Sequence, residues 1–161
     1  MEVRHGDQVA MFKDVKCGRL FAMPAPDGIP LLAVRAKCDS GGHLIIIGRL
    51  RGPPVPPRFG KDDQVSKAPP VIMLPTYELE PSMRLADIGS ESPGPGDLHA
   101  TASGFFLHLV QPGDVRLPNF LKLAEGTLHQ PPADSTIIKA WSIVKPIKDG
   151  EPETIYRYSR A

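Results

Sequence analysis

Apolar and polar residues alternate with a period of two over much of the chain, in short runs broken by turn residues. Such runs place successive side chains on opposite faces and predict half-buried strands. The predicted strands cover residues 9–15, 18–23, 30–37, 43–50, 71–78, 83–88, 104–110, 120–124, 136–144 and 154–158. Val, Ile, Leu, Phe and Tyr dominate them, and clusters such as Asp39-Ser40-Gly41-Gly42, Pro93-Gly94-Pro95-Gly96 and Pro112-Gly113-Asp114 bound them. Pro26-Asp27-Gly28 reads as a hairpin turn, because proline presets φ and glycine supplies a positive one. No segment carries a helical period beyond a turn or two, and no internal repeat is present.

Composition sharpens this picture. The 161 residues include 19 prolines and 15 glycines, about a fifth of the chain against an average near 12%. Each proline removes a backbone donor, which excludes a helical bundle, a coiled coil and a doubly wound α/β sheet. Disorder is not implied, since 41% of residues are hydrophobic and 23% charged. About ten strands at this spacing predict a single all-β domain over residues 1–161. Its architecture is a double-stranded β-barrel or jelly roll of cupin type, or a β-sandwich. Two long Pro/Gly-rich loops are expected, over residues 51–70 with six prolines and over 89–100. Loops of this length serve as lids, binding loops or mobile surface segments. Residues 53–57 read as a stiff polyproline II stretch.

Charge separates the two parts of the chain without identifying a partner. Up to Pro70 there are 11 basic and 7 acidic residues, a net of +4, and beyond it 8 and 11, a net of −3. Arg49, Arg51, Arg58 and Lys61 lie close in sequence but without any nucleic-acid-binding pattern, so they read as a solvated loop. The longest apolar run, Leu44 to Ile47, is too short to span a bilayer. The N-terminus has no apolar core of a signal peptide. A cytoplasmic protein without nucleic-acid or membrane partners is expected. Cys17 and Cys38 flank the predicted hairpin almost opposite one another, yet in that compartment both thiols are expected to stay reduced.

The five histidines, His5, His43, His99, His108 and His129, are the clearest source of chemistry. None pairs at H-x-H or H-E-x-x-H spacing, so neither a metal nor a cofactor is expected. Residues 104–132 stand apart. A strand ends in Pro112-Gly113-Asp114, a second strand holds Leu121-Lys122-Leu123, and the turn Gly126-Thr127-Leu128-His129 delivers a histidine. This stretch resembles the second half of cupins, and most closely the ureidoglycolate lyases. They carry a leucine-lysine-leucine strand before a glycine-threonine-tryptophan-histidine turn. Leu128 stands at the tryptophan position, and the first cupin motif, H-x-H followed by glutamate, is absent.

The resemblance implies a small-molecule enzyme, a lyase acting on a small carboxylate such as ureidoglycolate. Cleaving that carbinolamine C–N bond needs a base for the hydroxyl proton and an acid for the departing nitrogen. His129 suits either role at neutral pH. Lys122 would hold the carboxylate as a point charge, or else point to solvent, since it alternates with Leu121 and Leu123. Glu125 would be a second acid/base, or a solvated residue before a glycine turn. His108 would line the pocket or satisfy a core hydrogen bond. Two non-catalytic readings stand beside the enzyme. One is a β-rich binding or assembly module contacting a protein partner through its loops or edge strands; the other is a ligand-binding barrel. Edge strands pairing between subunits would make a homodimer.

Overall fold

The chain's longest apolar runs form the spine of the molecule. In the computed structural model, which describes residues 9–39, 41–61 and 70–160, they build a hairpin of β3 (Leu31–Cys38) and β4 (Gly41–Arg49). His5 and residues 62–69 of the first long loop lie outside the described residues. Leu32, Val34, Ala36, Ile45 and Ile47 face one core, and Leu31, Ala33, Leu44 and Ile46 face a second. Burial on both faces explains why these strands read as continuous apolar runs. A bulge opposite Leu32 turns both Ile47 and Gly48 toward the first core.

The described fold is all-β. Eleven strands make one large mixed sheet, and three make a smaller one. Along one edge of β3 its first half pairs with β2 (Leu20–Met23), which leads through β6 (Val71–Met73) to β1 (Val9–Ala10). Further along the same edge, Lys37 pairs in parallel with Thr127 of β11 (Thr127–His129). From there the sheet continues through β10 (Phe120–Lys122), β9 (Gly104–His108), β8 (Leu98–Thr101) and β12 (Thr136–Ile138). On the other side, β4 pairs with β5 (Arg58–Phe59). These ladders do not close into a barrel, in contrast to the cupin-type expectation. The smaller sheet orders β14 (Glu153–Ser159), β13 (Ala140–Lys145) and β7 (Glu78–Pro81). It contributes Trp141, Ile143, Tyr156 and Tyr158 to the first core. Among the described residues no helix is long and apolar enough to cross a membrane.

The hairpin at Pro26-Asp27-Gly28 forms as expected. Gly28 has φ 81° and donates to Ala25, and Asp27 accepts from the Ile29 amide. Leu20 pairs with Val34 and Met23 with Leu31. Continued, that register would bring Cys17 close to Cys38. Instead the chain leaves β3 at Gly18, whose backbone packs directly on Gly126, and β11 takes over the edge. A Cβ on Gly126 would overlap the Gly18 backbone, so that position requires glycine, and the φ of 84° at Gly18 favours glycine there too. Neither cysteine is in a disulfide.

Three expectations are corrected. Residues 83–88 are not a strand: Met83 and Leu85 are 77% and 86% exposed around a 3-10 turn, Leu85–Asp87. Apolar letters without a surface to bury them make no strand. The first predicted strand stops at Ala10, where Phe12–Asp14 form a 3-10 turn. The turn is held by Arg35, which donates to the Lys13 and Val15 carbonyls and lies over Phe12. The second long loop, expected over 89–100, ends earlier, because its last residues belong to β8, Leu98–Thr101, and the part before that strand is anchored. Trp141 donates to Gly96 O and Tyr158 to Pro95 O, while Arg160 reaches Ser92 O, Ser90 and the carboxylate of Asp97.

Candidate functional site

Strands β8 to β11 present two faces, set by their register. Leu98, Leu107, Leu121 and Leu128 point into the first core. The opposite face carries His99, Phe106, His108, Phe120, Lys122, Thr127 and His129. Phe120 lies opposite both His108 and His129, and Lys122 opposite both Phe106 and Thr127. The alternation that builds the core therefore gathers the polar side chains on one surface.

Three predicted site residues meet there. The β10–β11 turn brings the Glu125 carboxylate 2.9 Å from the Lys122 ammonium. Thr127 Oγ1 lies 3.4 Å from Glu125 and 2.7 Å from His129 Nε2. A threonine hydroxyl has one proton to give. If it goes to Glu125, His129 must donate through Nε2–H, leaving Nδ1 as its basic nitrogen. Lys122–Glu125–Thr127–His129 thus form a polar line along the turn. Phe106 supports it: the His129 ring stands edge-on to it at 5.6 Å, and the ammonium of Lys122 lies 6.0 Å from its centre. Hydrogen bonding and charge from Lys122 hold the Glu125 carboxyl below the usual carboxylate range. The Glu125 carboxylate thereby anchors Lys122.

His108 does not join them. It stacks on Phe120 at 4.4 Å and faces His99, which donates to or accepts from Ser135 at 3.0 Å. Burial lowers the His99 pKa, opposed by the charge of Asp97. Burial, then the nearness of His99, lowers that of His108. Among the described residues no cluster of three or more His, Cys, Asp or Glu suits a metal ion.

None of His129, Lys122, Glu125 or His108 lines either principal cavity. The larger, about 1070 Å³, takes its walls from both sheets, with Val34 and Ile47 on one side and Leu79 and Ile143 on the other. Asp14, Lys16, Arg19 and Glu78 are its charged members, all exposed. The smaller, about 660 Å³, lies between β5 and the loop after β9, and His43, Arg58 and Asp114 are among its lining residues. Sequence reasoning overlooked both, because their linings come from segments far apart along the chain. No protein-family model, curated protein or solved structure matches the chain.

Proposed function

We propose that the protein is a small-molecule-binding β domain whose ligand occupies the cavity walled by both sheets. In this reading the two sheets act as the halves of a sandwich. The observation that carries it is the cavity itself, about 1070 Å³ with apolar walls and charged groups at its exposed margin. A large apolar pocket with a few polar groups is the usual form of a ligand site. The lining suits an amphipathic molecule, its apolar body against Val34, Ile47, Met73 and Ile143 and its polar end near Lys16 or Arg19. Anilinonaphthalene sulfonate, apolar with one anionic group, is a suitable probe. The native protein is expected to enhance its fluorescence and to melt higher in its presence. Leu79→Trp, which fills the cavity, is expected to weaken binding about tenfold. Absence of binding to the folded protein, or equal binding by the variant, would overturn the proposal.

A second reading is favoured by the 2.7 Å contact of Thr127 with His129. It is acid–base chemistry of the ureidoglycolate lyase kind at the polar line: His129 Nδ1 takes the hydroxyl proton of a carbinolamine carboxylate as the C=O bond forms and the C–N bond breaks, and passes that proton to the departing nitrogen. Urea release from ureidoglycolate tests it. Activity that His129→Ala abolishes would support this reading, whereas no activity, or activity unchanged in the variant, would dismiss it.

A further inference from the structure

The β3–β4 hairpin ends in a thiol and an imidazole in contact. His43 lies opposite Ala36, so Cys38, two residues further on the same face, is its diagonal neighbour. Cys38 Sγ is 3.4 Å from His43 Nε2. The His43 ring is held edge-to-face by Phe59 of β5, 6.0 Å away at 82°. His43 also lines the 660 Å³ cleft, with Arg58, Phe59 and Leu117. Cys38 is half-buried, as is Cys17, and among the described residues Cys38 alone has an imidazole nitrogen within reach of its proton.

We propose that Cys38 is a nucleophilic thiol, with His43 as its base, and a site of covalent modification by small electrophiles. A neutral imidazole beside a thiol takes the proton as the sulfur attacks. With an alkylating reagent, His43 Nε2 takes the thiol proton, a sulfur lone pair forms the new C–S bond, and the leaving halide departs with the electrons of its bond to carbon. Phe59 positions the ring, and Arg58 supplies a positive charge in the same cleft. The polar line at His129 has no part in this step.

Limited alkylation of the intact protein with iodoacetamide at neutral pH, followed by peptide mass analysis, measures the two thiols separately, and Cys17 serves as the internal standard. Cys38 is expected to react at least about fivefold faster than Cys17, and His43→Ala to slow Cys38 about tenfold while leaving Cys17 unchanged. His43→Gln, closer in size, is expected to act alike. Equal rates at the two thiols, or a Cys38 rate that neither variant lowers, would overturn the proposal. A rise at Cys17 in a variant would mark lost structure, and the wild-type ratio of the two thiols then decides.

Discussion

At the scale of single residues, the buried histidines set a pH dependence. His99 is 7% exposed, and its Nε2 has no hydrogen-bond partner among the described residues. Burial lowers both pKa values; at His108 the neighbouring His99 adds to the lowering, as does Arg160, while Asp97 works against it at both rings and a backbone hydrogen bond to Gly94 does so at His108. In the unfolded chain these rings titrate near the ordinary imidazole value of about 6.5. As the pH falls past that value, the unfolded state takes up protons that the folded state refuses. The stability present above it is therefore lost as pH falls through the lowered folded values. Urea midpoints are expected to decline between pH 7 and pH 5, and to decline less in His99→Gln/His108→Gln. An unchanged slope in that variant would count against the histidines as the source. By contrast, Glu125, at 54% side-chain exposure, contributes little through its pair with Lys122. The closeness of Lys122, Glu125 and His129 was legible in the sequence because one tight turn joins them. His108 stands apart from them because Phe120 lies opposite both His108 and His129 and separates them.

At the scale of elements, the contact between the sheets depends on a missing side chain. Gly48 of β4 lies under the ring of Tyr156 in β14, and a Cβ there would overlap that ring. Burial, more than the neighbouring Tyr158, pushes the Tyr156 hydroxyl up to about 12. Gly48→Ala is expected to cost about 1–3 kcal/mol, as overpacking does, measured by urea denaturation. In a Tyr156→Leu background the same substitution is expected to cost much less, because the two positions are coupled. Equal costs in the two backgrounds would show that the sheets adjust elsewhere. The same logic explains which strands could be read in advance. β3 and β4 are buried on both faces, so their apolar runs were unmistakable. β8 carries Leu98-His99-Ala100-Thr101, a weak strand pattern, and forms through pairing with β9 and the turn where Thr101 bonds Gly104 O. β5 is two residues long and owes its existence to the exposed edge of β4. Such strands are decided by a neighbour's free backbone groups, which local alternation does not record.

At the scale of the whole molecule, the end of the last strand fastens the loop that precedes β8. Arg160 Nε lies 3.0 Å from Asp97 Oδ1, and the carboxylate is fully buried while the arginine is 27% exposed. The other oxygen of Asp97 accepts from the Gly94 amide. Trp141, the chain's single tryptophan, donates to Gly96 O and stacks on Tyr158 beneath the same loop. Removing the guanidinium leaves a buried carboxylate without its counter-charge, which is far more costly than replacing the pair as a whole. Arg160→Met is thus expected to destabilise the fold by about 3 kcal/mol and to loosen the loop over Trp141 before global unfolding. Acrylamide quenching of tryptophan emission reports that loosening under native conditions. Stronger quenching in Arg160→Met, partly reversed in Asp97→Asn/Arg160→Met, would identify the unpaired charge as the cause. Quenching equal to that of the wild type would show that Trp141, Tyr158 and Gly96 hold the loop without it.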